Sequence, residues 1–178
     1  MRPIRRLLLT TATVVGVVAI SASAAFASGN PTYNVSFMGE YGGIATWVPG
    51  HAAIRMYLPA SRADAIITLH HFTSVAPAEA PTFATTTYQS GSPRWYIQFS
   101  NGGYLFGYPD QAGSIWSTMG CGTLNAWTNY ATALEDLRNA GCAGDVTGGY
   151  IVADASQPVP ATDTITNIQY DGHAYTHH

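Results

Sequence analysis

The strongest constraint on this chain is a succession of short runs with β character, each closed by Gly, Pro, Asn or Asp. Residues 33–38 (YNVSFM), 44–48 (IATWV), 52–58 (AAIRMYL), 64–70 (DAIITLH), 83–88 (FATTTY), 94–99 (RWYIQF), 104–108 (YLFGY), 146–153 (VTGGYIVA) and 163–170 (DTITNIQY) all have strand length. Short strands at this spacing bury one face each against a second layer. The pattern predicts a mainly β fold, an antiparallel β-sandwich or jelly roll.

One segment departs from that pattern. Leu124, Trp127, Tyr130, Leu134 and Leu137 recur at steps of three and four, which places them on one face of a helix near residues 124–140. Thr123 or Asn125 suits its start and Gly141 its end. Glu135 and Asp136 fall on the solvated side. The two cysteines, Cys121 and Cys142, bracket the segment. In an oxidising compartment such a pair is expected as a disulfide. It would close a loop of about 20 residues and contribute on the order of 3 kcal/mol through chain entropy.

The amino terminus supplies that compartment. Arg2, Arg5 and Arg6 precede an apolar run from Leu7 to Ile20, and Ala25-Phe26-Ala27 forms an A-x-A-like cleavage signal. Residues 1–27 therefore read as a secretory signal peptide, and the protein as secreted and extracellular, with no membrane association after cleavage. Residues 28–172 are expected to form a single β-sandwich domain, followed by a flexible His-rich tail at 173–178. The APAEAP stretch, 76–81, is read as an exposed loop within that domain. Past the leader there are four arginines, no lysine and all ten acids. An acidic surface without a basic patch argues against nucleic acid and anionic lipid as partners.

The chemistry concentrates in WYIQFSNGGYLFGYP, residues 95–109. With Asn101-Gly102 as a two-residue type I′ turn, Phe99 faces Tyr104, Ile97 faces Phe106 and Trp95 faces Tyr108. Those six side chains then share one face and are expected in the core. Arg94, Tyr96, Gln98 and Leu105 take the other face, with Tyr96 opposite Gly107. A three-residue turn, Asn101-Gly102-Gly103, moves the register by one.

A flat ring, an amide and a guanidinium suit a polyhydroxylated ligand. The ring stacks on the C–H face of a sugar while the polar groups bond its hydroxyls. Tyr96, Gln98 and Arg94 are the first candidates. Tyr41 (in MGEYGG), Trp47 (before Pro49-Gly50) and Trp116 (read as a loop residue) are further contacts.

Catalytic signals are sparse. No serine lies in a G-x-S-x-G elbow. Glycoside hydrolysis needs two carboxylates across a bond, for which Glu40, Asp110 and Asp154 are the candidates. No metal site is assigned: His70 and His71 point to opposite faces of a strand, and His173, His177 and His178 lie in the tail. Asp154, Asp163 and Asp171 leave a structural Ca²⁺ open.

In compartment, size and composition the chain resembles carbohydrate-binding modules of secreted proteins. The resemblance implies a polysaccharide or glycan partner; apart from that Ca²⁺, no cofactor is assigned. The alternatives are a small secreted glycoside hydrolase, and a non-catalytic envelope or interaction protein such as a protease inhibitor, with 76–81 as its loop.

Overall fold

The computed structural model describes residues 34–85, 93–108, 115–120, 127–154 and 159–175. Their elements are β1 (Val35–Glu40), β2 (Ile44–Trp47), β3 (Ala53–Leu58), β4 (Asp64–Leu69), β5 (Thr82–Thr85), β6 (Arg94–Phe99), β7 (Tyr104–Tyr108), β8 (Ile115–Met119), α1 (Tyr130–Asn139), β9 (Val146–Ala153), β10 (Ala161–Tyr170) and β11 (His173–Ala174). The leader, Asp110, Cys121, Leu124, His177 and His178 lie outside the described residues.

The protein is mainly β and its strands pair antiparallel. One sheet has the order β1-β4-β9-β6-β7-β8; the other runs β11-β10-β3-β2, with β5 also on β10. Side chains alternate between buried and half-exposed along β4, β6 and β7, as strands with one covered face require. Trp95, Ile97 and Phe99 of the first sheet are buried with Ile54, Met56, Ile165 and Tyr170 of the second. The Trp95 ring lies 6.0 Å from both Phe83 and Tyr170, across the gap between the sheets. Two antiparallel sheets sharing one apolar interior are consistent with a β-sandwich. Each fully buried large side chain contributes roughly 1.5–3 kcal/mol there.

The helix begins later than the periodicity suggests. Asn129 is its N-cap, and its side chain accepts from the Thr132 N–H at 2.9 Å. Trp127 and Thr128 precede it because Thr128 exchanges two 2.7 Å backbone hydrogen bonds with Trp116, which holds this stretch extended. Tyr130, Ala133, Leu134 and Leu137 form the buried stripe. Gly141, at φ +71°, ends the helix, and Cys142 N–H returns to Leu137 O at 2.8 Å, a left-handed cap that favours glycine. The helix covers the β7–β8 part of the first sheet: Trp116 and Tyr130 meet edge to face at 4.9 Å. Tyr130 Oη donates to Pro77 O at 3.0 Å, which ties the 76–81 loop to the helix. Cys142 is buried, and no cysteine among the described residues is free.

The β6–β7 register corrects both turns considered from sequence. Gln98 faces Tyr104, Ile97 faces Leu105, Tyr96 faces Phe106 and Trp95 faces Gly107. Phe99 N–H donates to Gly103 O, and the turn is Ser100-Asn101-Gly102, with Gly102 at φ +84°. A type I turn followed by a left-handed glycine is the usual three-residue hairpin, and here the glycine falls one position earlier than a turn on Asn101-Gly102-Gly103 would need. The β6 faces stand as expected, but every β7 residue swaps sides. Leu105 goes in; Tyr104, Phe106 and Tyr108 go out.

At Gly107 the register leaves room for Trp116, whose ring would lie 2.3 Å from an added Cβ. Gly107→Ala must therefore move a fully buried indole. We expect a loss of about 1–3 kcal/mol, read as a lower urea midpoint with unchanged slope; an unaltered midpoint would contradict this register.

Candidate functional site

The alternation of β strands sends a second set of side chains to the outer face of the six-stranded sheet. Cross-strand pairing arranges them in rows. One row runs Ser36, Thr68, then Tyr150, Tyr96, Phe106 and Ser117. The neighbouring row contains Met38, Ile66, Val152 and Arg94. At the far end Glu40 faces Asp64. Asp154 follows Ala153, the partner of Ala65, so it stands beside Asp64 on the adjacent strand, about 4.8 Å away in backbone spacing.

The polar groups on this face hold one another. The Arg94 guanidinium makes a fork to Asp154, with one arm at 3.2 Å and a second shorter one. Its Nε donates to Tyr96 Oη at 2.9 Å, and a further N–H points at Tyr108 Oη, 3.5 Å away. Gln98 sits between two phenols: its Nε2 donates to Tyr104 Oη at 3.2 Å, and its Oε1 accepts from Tyr150 Oη at 3.4 Å. Gly148 makes the second contact possible, since an added Cβ there would lie 2.4 Å from Tyr150 Oη. These bonds fix the rotamers of the polar side chains on this face, so a contact made there would cost little ordering entropy.

The rings form a continuous apolar strip. Tyr96 stacks on Phe106 at 5.8 Å, and Trp127 meets Phe106 edge-on at 5.1 Å and Tyr108 at 5.5 Å. The Tyr96 and Phe106 faces are partly spent on each other. Trp127 is 50% exposed, so its indole is the largest ring surface this strip offers to solvent. Two hollows near 470 and 430 Å³ lie elsewhere, beside the β6–β7 turn and around Trp47–Ala52. The aromatic face is the outer surface of the sheet, a platform of rings edged by polar groups.

Charge is graded along the platform. Burial raises the Asp64 pKa, with the Asp154 and Glu40 carboxylates adding to the effect and Arg94 opposing it. Burial also works against the Arg94 charge, but Asp154 and Tyr96 more than compensate and hold it protonated. Burial pushes the Tyr108 phenol up, with Arg94 opposing. The end of the face with Glu40, Asp64, Asp154 and Arg94 carries net negative charge.

Of the residues named from sequence, Tyr96, Gln98 and Arg94 come together here. Trp116 does not: it is fully buried beneath α1, because β8 is a strand and not a loop, and the residue alternates inward. Trp47 is half-buried on β2 of the other sheet, edge-on to Phe37 at 5.7 Å. Tyr41, 75% exposed at φ +50°, lies in the β1–β2 turn. Glu40 and Asp154 reach the same end of the sheet, with Asp64 between them. Asp154, Asp163 and Asp171 do not assemble, and no group of three or more metal-ligating side chains occurs among the described residues. Sequence reasoning missed Trp127, Tyr104, Phe106, Tyr108 and Tyr150. The alternating aromatics of YLFGY were a sufficient signal for three of them, given the right turn. No helix among the described residues is long and apolar enough to cross a membrane.

Comparison with known families, curated proteins and solved structures gives no match for this chain.

The raised Asp64 pKa has a testable sign. The folded state holds that proton more tightly than the unfolded chain, so the linked stability is complete below pH 3.8, the ordinary value, and is lost as pH rises through the raised one. Asp64→Asn is expected to melt higher than the native protein at pH 7, and the difference should close in acid below that value. A pH-independent difference would refute the repulsion.

Proposed function

We propose that the protein is exported and binds an extracellular or cell-wall glycan on the outer face of its six-stranded sheet, with Cys121 and Cys142 joined as a disulfide. The observation that carries this is Trp127, a half-exposed indole mounted on Phe106 and Tyr108 beside fixed phenol, amide and guanidinium groups. Indole and phenol rings cover the C–H faces of pyranoses, and the phenols retain lone pairs for sugar hydroxyls. The outer face of a sheet suits an extended polymer more than a small free sugar, which buries best in a concavity. The carboxylates at one end disfavour uronic or sulfated chains. The favoured ligand class is therefore a neutral, extended polysaccharide.

Trp127→Ala and Tyr96→Ala are each expected to reduce retention on insoluble neutral polysaccharides by tenfold or more, at unchanged melting behaviour for Trp127→Ala. Uronic-acid polymers should be retained least at low salt. Full retention in Trp127→Ala would remove the proposal.

Glycoside hydrolysis has one observation in its favour: the adjacent Asp64 and Asp154 differ in environment, one carboxyl with a pKa raised chiefly by burial and one in an ion pair with Arg94, a contrast of the kind an acid and base pair needs. It predicts release of reducing ends from a glycan panel, abolished in Asp154→Asn. Absence of release leaves the binding protein.

A further inference from the structure

The row of rings on the outer face contains a gap. Ser117 stands opposite Phe106 on β8, where a third ring would continue the strip. The Trp116–Thr128 bridge places Trp127 beside Ser117 in the same register and on the same face. To meet Phe106 at 5.1 Å, the Trp127 indole must lean across position 117. A small residue is thus required there. Alanine would meet that requirement, yet the chain carries serine, and its hydroxyl is fully buried with no hydrogen-bond partner. Leaving a buried hydroxyl unsatisfied costs free energy that alanine would avoid. Trp95 Nε1, Trp116 Nε1 and Tyr170 Oη are also without partners, but they face the sealed interior. The Ser117 hydroxyl lies under a side chain that is itself half in solvent.

We propose that Ser117 is the floor of a ligand-opened subsite: the Trp127 indole rotates off position 117, a pyranose ring enters between the indole and Phe106, and one of its hydroxyls bonds Ser117 Oγ. β7 on one side and the Thr128 bridge on the other hold the backbone of β8, so a side-chain rotation of Trp127 is enough, with no loop motion needed. The subsite selects for a hydroxyl or amide substituent on the sugar edge that reaches the floor, because a deoxy position would leave Oγ unsatisfied. This rests on the glycan-binding function proposed above.

The test compares native protein, Ser117→Ala and Trp127→Ala against neutral hexasaccharides built on glucose, mannose, xylose and N-acetylglucosamine. Affinity is read by calorimetry, and indole exposure by fluorescence quenching. Ser117→Ala should melt a few degrees higher and bind about five- to tenfold more weakly, while the hexasaccharide still alters indole fluorescence. Equal affinity of Ser117→Ala and native protein, with Trp127→Ala inactive, would overturn the subsite and leave the platform standing. A native protein that binds none of the hexasaccharides would overturn both.

Discussion

The left-handed glycine of the β6–β7 turn governs the rest of this molecule. With Gly102 at φ +84° and the hairpin closed between Phe99 and Gly103, Tyr104, Phe106 and Tyr108 have to face away from the core. A slip of one residue would exchange them with Leu105 and Gly107, since the side-chain period is two. The same register puts Gly107 under Trp116 and so lets the indole lie flat on the sheet beneath α1. Core packing and outer platform are therefore set by one backbone conformation. Neither can be altered by a register shift without the other.

The aromatics on the outer face are tolerable there because polar groups occupy their edges. Arg94 bridges Asp154, Tyr96 and Tyr108, and Gln98 joins Tyr104 to Tyr150. Phenols that are half-buried and hydrogen-bonded can leave the interior without presenting a purely apolar patch. The arrangement also separates two tasks. Hydrogen bonds of the guanidinium, amide and phenols fix rotamers, while Trp127 rests on the Phe106 and Tyr108 rings with half its surface in solvent.

Much of this architecture was legible in the residues. Strand runs such as RWYIQF and VTGGYIVA appear at the boundaries expected, because alternation and flanking turn residues carry the signal. The faces of β6 followed from Trp95 and Ile97 alone. The β7 faces did not, because SNGG holds two glycines able to adopt positive φ, and three turns compete within four residues. Trp127 was hidden for a different reason. It sits at helical spacing from Tyr130 and Leu134, but a cross-strand bridge to Trp116, distant in sequence, keeps it extended. β8 was missed because its pattern, IWSTM, places the largest side chain inward at Trp116 and a serine outward, the reverse of what an outer strand on an aromatic face suggests.

The Thr128 bridge has a further consequence. β8 is the last strand of its sheet, and both the N–H and the C=O of Trp116 are occupied from the open side. An incoming strand would find no backbone pair free at the middle of this border, and α1 follows directly at Tyr130. Strand addition at Trp116 is therefore opposed on this border, and the aromatic face ends against a backbone pair that is already taken, whereas β1 forms the opposite edge of the same sheet.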